Sequence, residues 1–191
     1  MEFQTMEQIR NCIDEVDLEI RELLAKRLQL SYEVAQNKAQ SGSTTIYRAD
    51  REAAILENLG KEVSEDIKVE YLAIVKKIME TSRMYQYGLL YEWNKEVFKE
   101  VVGHELANNP TNHVVVRLSR ENKPNAMSAI LCMIGDHGYD MKWMELIECT
   151  EDFVTFELTI LGDTTQVNMR KLLFQLSKES HDFSIVSVEK R

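Results

Sequence analysis

The feature that most constrains this chain is an apolar stripe, near its start, that contains two positively charged residues. Apolar side chains recur from Ile9 to Val34 in steps of four and three residues, the spacing of one buried face of an α-helix. Arg27 and Lys38 fall on the same face. Because an unpaired buried charge is energetically costly, these cations need an anionic partner. The pattern predicts a long helix over residues 5–39 that meets an anion.

The spacing of the two cations limits the size of that anion. Arg27 and Lys38 are about three helical turns apart, roughly 16 Å along the axis and about 20° around it. If each side chain reaches about 4 Å along the axis, about 8–10 Å is left for a small anion. Arg10 precedes Arg27 by about 25 Å and does not reach the same ligand on a straight helix. Arg10 is therefore either a surface arginine or part of a second, symmetry-related site in a two-fold dimer.

The overall composition argues against several classes of function. With 191 residues and a formal net charge of −9, the chain is not expected to bind nucleic acid non-specifically. Its three cysteines are too scattered for a disulfide framework, and its four histidines lack the spacing of metal ligands. The start of the chain lacks a secretory signal pattern, and no apolar run reaches membrane-spanning length. We expect a cytoplasmic protein without a metal and without a membrane partner.

The first half of the sequence has the period of α-helices throughout. After the long helix, a shorter one starts near Asp50, whose side chain is placed to cap it. A third helix opens near residues 65–66, which are acids and suit a helix N-terminus. Its apolar line covers residues 67–89 but includes Ser82 and Gln86, one turn apart on the inner face. The first half thus predicts three helices with polar groups facing inward.

The second half has a different period. Beyond a helical extension and a loop, alternating apolar residues indicate strands, in the order strand, helix, strand, strand, helix, strand. This order over about 80 residues is typical of a ferredoxin-like α+β fold. We therefore predict a helical domain at residues 1–91, an extension and linker at residues 92–112, and an α+β domain at residues 113–191.

Five short blocks in the helical half occur in an order and at a spacing that identify a family. The blocks are residues 6–17, 23–27, 34–38, 50–52 and 82–86. Together they resemble the all-helical chorismate mutases, including the mutase portion of bifunctional prephenate dehydratases, over roughly residues 5–90. The resemblance implies an intertwined homodimer of three-helix chains that converts chorismate to prephenate, in phenylalanine and tyrosine biosynthesis, without a cofactor.

The resemblance also implies a role for each matching residue. Arg10 from the partner chain and Arg27 would hold the two carboxylates of chorismate. Lys38 and Gln86 would lie on either side of the ether oxygen. The reaction is a unimolecular Claisen rearrangement, in which positioning contributes up to roughly 7–11 kcal/mol. A preorganised donor at the oxygen that gains charge contributes about 3–4 kcal/mol, so a cation and an amide suit that position.

Three further positions complete the implied site. Glu52 would accept a hydrogen bond from the ring hydroxyl, and Ser82 would bind a carboxylate. The chain departs from the family at Arg48, where an aspartate often faces the hydroxyl. Glu52 would therefore be the main residue that binds the hydroxyl, whereas Arg48 would contact substrate through its backbone. An alternative for Ser82 and Gln86 is a hydrogen-bonded pair that joins two helices.

The second half is similar in topology to ACT domains, the small-molecule-sensing modules attached to enzymes of amino-acid biosynthesis. This similarity implies regulation by an aromatic amino acid. The positions that meet the ligand in phenylalanine-sensing ACT domains correspond here to residues 122–127 and 144–147, and neither stretch matches. A module that only dimerises or stabilises the protein is therefore the alternative.

Two other functions remain open at this stage. An isochorismate pyruvate lyase would use similar cations on the same helical scaffold and a similar substrate. A non-catalytic regulator would present the second domain on a helical dimer. Lys38 and Gln86 argue against the regulator, because it would have no use for donors at an ether oxygen.

Overall fold

A computed structural model of the protein describes residues 5–96 and 110–190. In chain order, the elements within these ranges are α1 (Met6–Gln40), α2 (Ala49–Lys61), α3 (Lys68–Trp93), β1 (Thr111–Glu121), α4 (Ala126–Asp136), β2 (Met141–Cys149), β3 (Phe153–Leu161), α5 (Val167–Glu179) and β4 (Asp182–Lys190). No described helix is both long enough and apolar enough to cross a membrane.

The long first helix is confirmed, and its own sequence determines where it starts. Thr5 and Gln8 form a capping box: the Gln8 amide donates to Thr5 Oγ1 (3.3 Å), and the Thr5 amide donates to Gln8 Oε1 (2.8 Å). After the helix, Gly42 adopts a φ of 69°, a conformation that favours glycine. At about 1.5 Å per residue, α1 is about 52 Å long.

The apolar stripe of α1 is not buried within a single chain, contrary to the expectation from its spacing. The buried residues of α1 are Ser31 and Ala35, both in its second half. Ile13, Leu23 and Leu30 are instead exposed, Leu23 to 66%. The physical reason is that a period describes the apolar face of one helix and not what covers that face.

The second and third helices differ from expectation at their starts. Asp50 does not cap α2, because the helix begins one residue earlier, at Ala49, with Arg48 at the capping position and no side-chain cap. The Asp50 carboxylate pairs with Arg48 in the first turn instead. α3 begins at Lys68 rather than at residues 65–66.

The second half is a four-stranded antiparallel sheet with two helices. β1 lies between β3 and β4, and β2 pairs with β3, so the strand order is β2-β3-β1-β4. Its six elements follow the order predicted from the periodicity. The predicted extension and linker at residues 92–112 falls mainly on residues 97–109, which lie outside the described ranges. The structure places Trp93 in α3 and residues 111–112 in β1.

The helical half and the sheet share one hydrophobic core. Tyr87, Leu90 and Tyr91, near the end of α3, belong to the same buried cluster as the strands and α5. The ring of Tyr87 meets that of Phe174 edge to face, with centroids 5.9 Å apart. The last helix of the second half, α5, therefore packs against the part of α3 next to Ser82 and Gln86.

Candidate active site

A cavity of about 360 Å³ is enclosed by residues of α1, α2 and α3, together with two residues of the segment before α2. Its volume lies in the range of small-molecule sites. Six of the seven residues predicted for the site line it: Arg27, Lys38, Arg48, Glu52, Ser82 and Gln86. Residues that are distant in sequence are thus brought together as the resemblance implies.

Arg10 is the predicted residue that the single chain does not bring to the cavity. It is exposed on the first turns of α1. Since α1 is continuous from Met6 to Gln40, Arg10 stays about 25 Å along the axis from Arg27. Within one chain, Arg10 has no part in this cavity.

The cavity is strongly cationic, although the chain as a whole is acidic. The described residues that line it include five cations and one carboxylate, Glu52. The cations are Arg27, Lys38, Arg48, Arg51 and Arg83. Apolar side chains complete the wall, among them Val34, Ile55 and Met79. Such a lining suits a small anion with an apolar body.

Arg27 links α1 to α3 at the cavity. Its Nη1 donates to the Ser82 hydroxyl and to the carbonyl of Ile78, the latter at 3.4 Å. Burial lowers the pKa of Arg27, and the charge of Glu52 acts in the opposite direction. An arginine remains protonated in proteins, so the half-buried guanidinium is a fixed positive charge. Ser82 therefore links α3 to α1 through Arg27, whereas the alternative predicted from the sequence involved Ser82 and Gln86 together.

Lys38 and Gln86 have hydrogen-bond donors that a ligand can use. The half-buried ammonium of Lys38 forms no ion pair or hydrogen bond with a residue in the described ranges. Gln86 is buried, and its Nε2 donates to the Ser82 carbonyl of its own helix at 3.1 Å. That bond is internal to α3, so Gln86 does not tie α3 to α1. A ligand can take over one amide hydrogen of Gln86 without breaking a contact between helices.

Glu52 is held in place by a cation that the sequence analysis did not assign. Arg83 Nη1 donates to both oxygens of Glu52, at 2.5 and 2.6 Å, and Arg83 Nε donates to Glu179 Oε1 at 3.0 Å. Burial alone lowers the pKa of Arg83, but the charges of Glu179 and Glu52 and their hydrogen bonds outweigh it, so the pKa is raised. Arg83 thus fixes the Glu52 carboxylate at the edge of the cavity.

The side chain of Arg48 is largely committed outside the cavity. It forms two hydrogen bonds to Asp50, at 2.7 and 3.0 Å. The hydrogen bond from Arg48 lowers the pKa of Asp50 to about 2. This exposed pair leaves Arg48 less available to a ligand than Arg27 or Lys38.

Comparison with known proteins identifies a family for the helical half of the chain. The model of the family described as chorismate mutase type II matches residues 9–87. Residues 9–87 form a chorismate mutase type II domain. No curated protein matches the chain.

One matching solved structure is titled "GqqA- a novel type of quorum quenching acylases". It is 19% identical, with a TM-score of 0.40, and the alignment covers 44% of this chain and 32% of that chain. The match thus spans about a third of that chain's length. A similarity this low does not bear on the fold or the function of the mutase domain.

Arg83 is the residue of the mutase domain that sequence reasoning missed, although a signal was present. Met79 and Tyr87, one helical turn before and after it, are both buried. A cation between two buried residues at this spacing needs an anion, by the reasoning already applied to Arg27. The anions are Glu52 and Glu179, the latter 96 residues further along the chain.

Proposed function

We propose that this protein is a chorismate mutase that rearranges chorismate to prephenate in the cavity between α1, α2 and α3, and so supplies phenylalanine or tyrosine biosynthesis. The observation that carries the proposal is the lining of that cavity, which combines several cations with one fixed carboxylate. The family match over residues 9–87 supports the same conclusion.

In the proposed mechanism, binding selects the compact conformer of chorismate. Arg27 holds one carboxylate, and the Ser82 hydroxyl, which accepts from Arg27, turns its proton from the Ile78 carbonyl toward the same group. Glu52 accepts a hydrogen bond from the ring hydroxyl through lone pairs that Arg83 leaves free. These contacts bring the two reacting carbons together, and such positioning accounts for up to roughly 7–11 kcal/mol of the barrier.

The transition state is stabilised at the ether oxygen. As the carbon–oxygen bond breaks, this oxygen gains negative charge that the substrate does not carry. Lys38 and Gln86 donate to it, so their interaction is stronger in the transition state than in the ground state. No proton moves and no covalent bond to the protein forms, which fits a cavity whose polar groups are donors and one paired carboxylate.

The exposed stripe of α1 supports a homodimer. Ile9, Ile13, Val16, Ile20 and Leu23 lie on one face and are at least partly exposed in the single chain. An apolar face of this size is unfavourable in water, and a second copy of α1 would cover it. Arg10, on the same helix, would then reach the partner's cavity and bind the second carboxylate of chorismate.

The second half supports an ACT-like assignment. Its strand order, β2-β3-β1-β4, and its succession of strands and helices are those of a ferredoxin-like sheet. We therefore propose a regulatory domain that responds to an aromatic amino acid. A scan of melting temperature with phenylalanine, tyrosine, tryptophan and prephenate tests this, because a ligand at 100 times its Kd adds about 2.7 kcal/mol.

The activity is tested by incubating the purified full chain separately with chorismate and with isochorismate. Formation of prephenate from chorismate is the expected result. Release of pyruvate from isochorismate, without prephenate formation, would make the protein a lyase. Absence of both reactions would leave a non-catalytic regulator and contradict the proposal.

A further inference from the structure

A second cavity, of about 400 Å³, lies between the mutase domain and the sheet. Lys76 and Arg83 of α3 form part of one wall, and Arg120, Phe153 and Ser180 belong to the opposite wall. This cavity and the catalytic one share Glu52 and Arg83 but have otherwise different linings. It is a site of ligand size that the mutase reaction does not use.

Two polar atoms of its lining residues are buried without a hydrogen-bond partner among the described residues. They are Nη1 of Arg120 and Oγ of Ser180. Arg120 continues the face of β1 that carries the buried Val116 and Leu118, at the point where the strand leaves the core. Buried polar atoms are satisfied in most native structures, so two orphaned atoms at one cavity call for a partner.

The charges of the cavity indicate the sign of that partner. Each lining carboxylate is already paired with a lining cation: Glu52 and Glu179 with Arg83, Glu80 with Lys76, and Glu121 with Lys123. Arg120 and Lys178 also line the cavity and form no ion pair with a described residue. The net charge of the lining residues is therefore positive, and it favours an anionic ligand.

The aromatic side chains indicate the shape of the partner. Tyr47 and Phe153 both line the cavity. The ring of Phe153 stacks on the ring of His181, with centroids 4.4 Å apart, and both residues line the cavity. A planar ring on the ligand packs well against aromatic side chains.

We propose that this cavity binds a small carboxylate that carries a ring, and that its occupancy is transmitted to the catalytic cavity. The carboxylate binds Arg120 and the Ser180 hydroxyl, and the ring packs against Phe153. Ser180 follows Glu179 directly, and Glu179 shares the Arg83 guanidinium with Glu52. A ligand that hydrogen-bonds to Ser180 and shifts it therefore changes the orientation of Glu52, through Glu179 and Arg83.

The binding step is independent of the proposed activity, and only its transmission to Glu52 rests on it. Isothermal titration of the full chain with phenylacetate, phenethylamine and acetate tests the binding step, because the last two lack the carboxylate or the ring. We expect saturable binding of phenylacetate, with one molecule per chain, and much weaker binding of the other two. Equal binding of phenethylamine, or no binding of phenylacetate, would overturn the proposal.

Variants locate the ligand. Arg120→Gln removes a charged donor, so we expect the Kd for phenylacetate to rise at least about tenfold, and Ser180→Ala to raise it by a smaller factor. Arg117→Gln is the matched control, since Arg117 lies on the same strand but is exposed and pairs with Glu157. Binding that survives Arg120→Gln but is lost in Arg27→Ala would place the ligand in the catalytic cavity and overturn the proposal.

Two further measurements cover a variant that fails to fold and the effect of binding on the reaction. If Arg120→Gln does not fold, as judged by circular dichroism, Ser180→Ala and Lys178→Met decide the location instead. For the transmission, phenylacetate should change the KM for chorismate in the wild-type protein and not in Arg120→Gln. Binding with an unchanged KM would refute the transmission, whereas a protein without mutase activity would refute the proposed function and leave the titration result standing.

Discussion

Replacing Arg83 by methionine tests whether the buried ion triad holds the mutase domain and the sheet together. The side chain of Arg83 is 10% exposed and lies between Glu52 and Glu179, of which Glu179 is only 1% exposed. In the variant, Glu179 keeps its hydrogen bond from Gln175 but loses its counter-ion. A buried charge left without its partner destabilises a protein by about 3–5 kcal/mol. We expect a loss of this size in the free energy of unfolding.

Urea denaturation, followed by circular dichroism, measures that loss. Arg117→Met is a suitable control, because Arg117 pairs with Glu157 at a similar distance, 2.7 Å, but its side chain is 49% exposed. Such a pair contributes only about 0–1 kcal/mol. The double variant Arg83→Met/Glu179→Gln should recover much of the loss, since the fully buried carboxylate is then neutral and the Glu52 carboxylate left unpaired is 23% exposed. A loss for Arg83→Met no greater than that for Arg117→Met would refute the reasoning.

The remaining predictions concern the reaction. We expect Lys38→Ala to lower kcat/KM for chorismate at least about 10²-fold, whereas Arg48→Ala should cost much less because its guanidinium pairs outside the cavity. Equal losses in the same assay would contradict these roles. Mixing Arg10→Ala with Arg27→Ala protein should restore activity, because an exchanged dimer contains one intact site; activity no higher than that of either variant would rule out shared sites. Wild-type kcat/KM should be nearly flat between about pH 5 and 8, whereas Gln86→Glu should lose activity as pH rises, because only the protonated carboxyl donates. Parallel pH profiles would remove Gln86 from the ether oxygen.

Local signals explain why the helices were predictable and where the prediction was inaccurate. Thr5 and Gln8 determine the start of α1 through hydrogen bonds between neighbours in sequence. The local sequence is therefore enough to predict where this helix begins. Asp50 has the composition of a cap but lies inside the first turn of α2, where Arg48 captures its carboxylate. A difference of one residue in the helix start was enough to change the role of that side chain, and periodicity does not resolve one residue.

Tertiary contacts were less accessible to sequence reasoning. The spacing of α1 identified an apolar face correctly but not what covers it, because a period describes one helix and not its neighbours. Spacing singled out Lys38 and Gln86 as polar residues on inward helix faces, but only the family resemblance assigned them to one site. The Arg83–Glu179 pair joins residues far apart in the chain, and no local pattern links them.

The rule that a cation on a buried helix face needs an anion has two different outcomes in this protein. For Arg83 the chain supplies the anions itself, Glu52 and Glu179. Among the described residues, Glu52 is the only carboxylate that lines the candidate active site, and Arg83 is bound to it. Within the described ranges, Arg27 and Lys38 are therefore left without a carboxylate partner, which supports the proposal that a ligand provides theirs. The distribution of acids around the cavity, rather than the presence of the cations, is what separates a structural arginine, Arg83, from one that we propose to bind substrate, Arg27.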